Sequence, residues 1–89
     1  MTTLATKAIE YEVGATNVKF VGNTLCVSLS DGREVSVAID QIEWLNWLTK
    51  ATPTQRAKWS LEPEGFAIYW EELDDGIEVR HLLRMQPIA

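Results

Sequence analysis

A chain of 89 residues, 46% of them apolar, is long enough for one small domain but not two, and too apolar to be disordered. Eight basic residues against 13 acidic ones leave a net charge of −5, a surface that phosphate backbones repel, so direct nucleic-acid binding is not expected. Cys26 is the single cysteine, which excludes an internal disulfide, and no stretch approaches the ~20 apolar residues of a membrane span. Met1 to Val13 lacks the apolar segment of a signal peptide, so the expected location is cytoplasmic. An acidic surface suits a basic protein partner through electrostatic steering, although solubility alone also accounts for it.

In chain order, Lys7 to Val13 comes first. Ile9, Tyr11 and Val13 alternate with Glu10 and Glu12, the pattern of a half-buried strand. A three-strand meander follows, and side-chain parity tests its turns. Residues directly opposite each other in an antiparallel pair share a face. A two-residue loop at Gly22-Asn23 sets Phe20 against Leu25 and Val18 against Val27. The same loop length at Asp31-Gly32 fails, because Leu29 would face Glu34 and Val27 would face Ser36. A three-residue loop, Ser30-Asp31-Gly32, restores Val27 against Val35 and Leu25 against Val37, with Gly32 at positive φ. The glycine therefore has a backbone role. A phosphate-cradling loop would show several glycines before a helix, and here a strand follows.

Asp40 to Lys58 reads as helical. Asp40 and Glu43 form a capping pair, and Trp44, Leu45 and Leu48 share one face with Ile42 and Trp47 at its margins. Thr52, Pro53 and Gln55 mark a second start, giving a short helix near Pro53 to Lys58. Beyond Trp59, Pro63 and Gly65 mark a turn, and Phe66 to Trp70 is a short β-rich run. Asp75 and Glu78 offer a third capping pair before a last helix near Ile77 to Arg84, and Met85 to Ala89 is a tail.

Three groups of residues are candidates for chemistry. Cys26 and His81, the only thiol and the only imidazole, would have to meet to form a nucleophile pair. Cys26 lies on the strand face opposite the apolar stripe, and nothing marks a lowered pKa. Glu71, Glu72, Asp74, Asp75 and Glu78 form an acidic cluster that suits acid–base work or a hard cation, but the spacing matches no calcium loop. A solvated loop leading into a helix start is the plainer reading. Four tryptophans is a high count. Trp44, Trp59 and Trp70 read as core or core edge, and Trp47 as the partly exposed one, the kind of residue that anchors interfaces. Phosphate-loop, zinc, serine-elbow and dinucleotide motifs are all missing, so no cofactor is expected.

"LSDGREVSV", "ATPTQRAKW" and "IYWEELDDGIEV", the last followed by Leu82-Leu83, occur in this order and together resemble the small bacterial domain-of-unknown-function family 2442. Its members resemble L-x-D-G-R-x-I-x-V, then A-T-P-E-Q-R-x-x-W, then I-H-W-P-x-L-D-E-D-I-x-V-x-x-L-L. The likeness spans about residues 16 to 84, and Ala51 to Trp59 is its most specific block. This chain departs at Glu71, where the family has proline, and at Tyr69, where it has histidine, so no role for that histidine carries over. The resemblance implies a compact α+β domain and no established activity. It also implies short proteins from mobile regions, often beside another small gene in toxin–antitoxin-like arrangements. Arg33 and Arg56 lack an obvious local role, and an ion pair of each with a core-edge carboxylate such as Asp74, fixing helix to sheet, is the expectation for them.

The expected fold is one α+β domain: an antiparallel three-strand meander with one or two further strands, packed by two to three short helices. The expected function is a non-enzymatic protein–protein interaction module, antitoxin-like, using Trp47, Trp44 and Ile42 on a basic partner. A homodimer through open sheet edges is also expected. Two other readings stay open. One is a regulatory or sensing domain working with a DNA-binding partner, and the other is a small metal-dependent hydrolase built on the acidic loop.

Overall fold

The computed structural model describes residues 13–85. Residues 7–12 of the expected first strand and residues 86–89 of the tail lie outside them. Strands β1 (Ala15–Val21), β2 (Thr24–Leu29) and β3 (Glu34–Ala38) form one antiparallel sheet in the order β1-β2-β3. Phe20 pairs with Leu25 and Val18 with Val27; Val27 pairs in turn with Val35 and Leu25 with Val37. This is the register that apolar parity requires.

The second bend has the odd count of residues. The Leu29 N–H donates to the Arg33 carbonyl at 2.8 Å and the Gly32 N–H to the Leu29 carbonyl at 3.1 Å, enclosing Ser30, Asp31 and Gly32. Gly32 has φ +93°, a conformation that glycine adopts without steric cost. Asp31 Oδ1 also accepts the Arg33 N–H at 3.0 Å, so the loop is closed from both backbone and side chain.

The expected long helix from Asp40 is broken into pieces. Turns of 3₁₀ helix at Ile39–Gln41 and Glu43–Leu45 lead into α1 (Asn46–Thr49). Asp40 sits inside the first turn, and no side-chain cap forms there. The reason is tertiary. The Ile39 N–H still donates to the Asn23 carbonyl at 2.9 Å, and Ile42 is extended (φ −121°, ψ 113°), so no α-helical run can form across these residues. The capping box before α2 (Pro53–Arg56) forms as expected. The Gln55 N–H donates to Thr52 Oγ1 at 3.1 Å, and the Thr52 N–H to Gln55 Oε1 at 2.9 Å.

A second antiparallel sheet, in the order β4-β5-β6, comprises β4 (Trp59–Leu61), β5 (Ala67–Trp70) and β6 (Asp75–Glu78). Only β5 is plain in the sequence. Ile77 and Glu78, expected in the last helix, belong to β6, where Ile77 pairs with Ile68 and is fully enclosed. The Asp75/Glu78 capping pair therefore does not exist. Asp75 accepts the N–H of Gly76, and the last helix, α3, is Val79–Arg84. The two sheets meet closely where Gly65, at φ +72°, lies on the start of β1. A Cβ there would overlap the Ala15 carbonyl oxygen.

Leu25, Val27, Leu29, Val35 and Val37 on the first sheet pack with Leu45, Leu48, Ile68, Trp70, Ile77, Val79 and Leu82 in one core. The meander's apolar face is thus sealed by the tryptophan-bearing helical segment and the second sheet. Each fully enclosed Leu or Ile is worth about 1.5–3 kcal/mol of transfer free energy, and these residues draw every layer into the same interior. The fold is α+β.

Candidate functional site

Two places concentrate unusual side chains, and they differ in kind. The first is inside the resemblance motif. Arg56 reaches out from the end of α2 to four oxygens. Its Nε donates to the Leu48 carbonyl at 3.1 Å, Nη2 to the Thr49 carbonyl at 2.9 Å and Asn23 Oδ1 at 3.0 Å, and Nη1 to the Gly22 carbonyl at 3.2 Å. The planar fork suits such a spread of acceptors, and a lysine could not reproduce it. The guanidinium lies 5.4 Å from the Phe20 ring centroid.

Arg56 also offers its own carbonyl to Trp70 Nε1–H at 2.9 Å. Trp70 is fully enclosed, with Phe20 edge-on at 6.3 Å and Trp47 edge-on at 5.7 Å. One arginine and one tryptophan therefore tie the Gly22-Asn23 turn, the end of α1, α2 and both sheets together. A groove of about 510 Å³ beside them is lined by Phe20, Pro53, Arg56 and Trp59. Since the guanidinium already serves four protein oxygens, this wall is built for the fold.

The expected ion pairs to Asp74 are not formed. Arg56 bonds carbonyls instead of a carboxylate, and Arg33 pairs with Asp31 within its own turn at 2.7 Å. Asp74 adopts the left-handed conformation (φ 51°) and accepts the Tyr69 hydroxyl proton at 2.8 Å. That hydrogen bond holds the Tyr69 phenol above its ordinary pKa. The Arg33 backbone N–H, followed by its guanidinium, holds the Asp31 carboxyl below the usual carboxylate value.

The acidic residues are distributed among separate partners. Glu72 pairs with Lys58 at 2.8 Å, Asp74 with Tyr69, Asp75 with the Gly76 N–H, and Glu78 with Arg80 at 2.8 Å. Among the described residues no group of three His, Cys, Asp or Glu could hold a metal ion. Cys26 is buried beside Ser36 Oγ at 3.7 Å, whereas His81 lies on α3 near Glu78 (3.6 Å) and Trp44, so thiol and imidazole have separate surroundings.

The second place is the surface around Trp44. Trp44, expected at the core or its edge, is 45% exposed, while Trp47 and Ile42 keep their expected places at the core margin, partly buried. The cause is the 3₁₀ turn Glu43–Leu45 followed by a fresh start at Asn46. Leu45 and Leu48 take the inward positions, and the Trp44 ring is left outside them. It stands edge-on to His81, with ring centroids 6.5 Å apart and planes at 84°.

On the opposite flank of α3, Phe66 is 42% exposed beside a groove of about 380 Å³ that Val13, Val79, Arg80 and Leu83 also line. Phe66 reads in the sequence as the first residue of the β-rich run that ends at Trp70. It is outside because its backbone is still in the helical region (φ −74°, ψ −17°) and the strand starts one residue later.

The comparisons with known proteins agree with this architecture. The family described as protein of unknown function (DUF2442) matches residues 15–87. The chain belongs to the DUF2442 family. A protein of unknown function from Rhodospirillum rubrum shares the family chain's fold with a TM-score of 0.68 at 18% identity, over 81% of this chain and 86% of its own. The uncharacterised protein CV0863 from Chromobacterium violaceum, solved in solution by NMR, gives a TM-score of 0.68 at 20% identity, over 93% of this chain and 76% of its own. Among curated proteins no sequence matches this chain.

Proposed function

We propose that this domain is a non-enzymatic protein–protein interaction module, antitoxin-like in its setting, which presents Trp44 to a basic partner. The observation that supports the reading most is the position of Trp44. A small domain gains most by enclosing its tryptophans, yet this one is 45% exposed and braced by His81 on a body of net charge −5. Exposed aromatic anchors carry a large share of binding energy at interfaces, and an acidic surface speeds encounter with a basic partner.

The experiment is a titration of the neighbouring gene's product by calorimetry, with wild type and Trp44→Ala. Because Trp44 is exposed, the substitution should change folding stability by no more than about 0.5 kcal/mol. Loss of an interface anchor should weaken binding about 30-fold, the equivalent of ~2 kcal/mol. Equal affinity for the two proteins would show that Trp44 is not the anchor.

A further inference from the structure

Four strand edges are open to a neighbouring chain among the described residues, and three of them are obstructed. β1 has a bulge between Ala15 and Asn17, carries Lys19 and approaches β4. β4 is three residues long, follows Lys58 and precedes Pro63. β6 has acidic residues at both ends, Asp75 and Glu78, and runs straight into α3. Bulges, lysines, prolines and short length are the devices by which sheet edges avoid pairing.

The fourth edge, β3, is the least protected, with Glu34 at its first position as its one charged residue. Its register with β2 is unbroken over five residues, Glu34–Ala38, and it has neither lysine nor proline. Glu34, Ser36 and Ala38 are exposed, and none of the turn and loop backbone hydrogen bonds among the described residues uses their N–H or C=O groups. The bonding pattern fixes which way its amides point. The Leu29 N–H donates to the Arg33 carbonyl and the Ile39 N–H to the Asn23 carbonyl, so the odd-numbered residues bond to β2. Alternation along the ladder then directs the N–H and C=O groups of Glu34, Ser36 and Ala38 outward.

We infer that β3 is a homodimerisation edge: a second copy of this chain pairs antiparallel with it about a two-fold axis at Ser36, joining two three-stranded sheets into one of six. The charge pattern fits its own copy. A two-fold at Ser36 sets Ser36 against Ser36 of the second copy, and Glu34 against that copy's Ala38, so no like charges meet. The edge lies in a different part of the fold from the Trp44 surface, and the two readings can fail separately.

Sedimentation equilibrium of the full chain, with two sets of variants, tests the assignment. Wild type should show a concentration-dependent dimer. Ser36→Lys, at an exposed position whose backbone points away from β2 and whose hydroxyl gives up only a 3.7 Å contact with Cys26 Sγ, should keep the fold by circular dichroism but weaken dimerisation at least tenfold, because two ammonium groups would meet at the axis. In a Cys26→Ala background, Ser36→Cys should form a disulfide-linked dimer on mild oxidation. Its Cα atoms would lie ~5.5 Å apart across the axis, inside the ~4.4–6.8 Å range that disulfides span. Ala38→Cys in the same background should not cross-link, since its two copies would be about four residues, ~13 Å, apart along the strands. A chain that stays monomeric up to about 1 mM, a dimer that Ser36→Lys leaves at wild-type affinity, or cross-linking at Ala38 but not at Ser36 would each overturn the assignment.

Discussion

Asp31 shows how a motif residue can be fully occupied by its own turn. Its carboxylate accepts the Arg33 backbone N–H at 3.0 Å and the Arg33 guanidinium Nε–H at 2.7 Å. Both favour the charged form, which is why the carboxyl titrates below its usual value in the folded chain. The sign of the pH effect follows. The unfolded chain binds this proton first as pH falls, so the contribution is whole above the ordinary carboxylate value and disappears through the lower folded value. Asp31→Asn should therefore be less stable than wild type in urea at pH 7, and the two should converge below about pH 4. A constant difference across that range would show that the charge is irrelevant to the turn. Parity located the turn at this scale, but neither composition nor spacing could assign the carboxylate to Arg33.

At the scale of elements, local signals succeeded where a single segment satisfies its own backbone. The Thr52–Gln55 capping box is such a case. It closes within four residues, and both its bonds are present. Thr52→Ala should cost about 1 kcal/mol, read as a lowered urea midpoint with an unchanged slope. No change would mean that α2 is held by Arg56 alone. Signals failed where a distant partner decides. Asp75 and Glu78 have the spacing of a capping pair, but Ile77 between them pairs with Ile68, and the strand wins. Asp40 and Glu43 fail similarly, because Ile39 remains bonded to Asn23. The tryptophan surface was legible as a surface but not residue by residue. A wheel drawn at 3.6 residues per turn buries Trp44, whereas the 3₁₀ turn exposes it.

Across the whole molecule, the residues that carry the DUF2442 resemblance account for one another. Gly32 and Asp31 close the meander, Thr52, Pro53 and Gln55 start α2, and Arg56 and Trp70 join both sheets through Phe20 and Trp47. Four oxygens and one aromatic face surround the Arg56 guanidinium, which gives it an architectural role, and the proposed recognition and dimerisation are assigned instead to Trp44 and to the β3 edge. Among the described residues no helix is long and apolar enough to cross a membrane. Urea unfolding of Arg56→Ala tests this division most directly. Losing several hydrogen bonds from a charged donor, with the Leu48 and Thr49 carbonyls left part-buried, should destabilise the fold by about 2–4 kcal/mol. A variant as stable as wild type would contradict the account, because it would release Arg56 from the scaffold and place it among the residues available to a ligand.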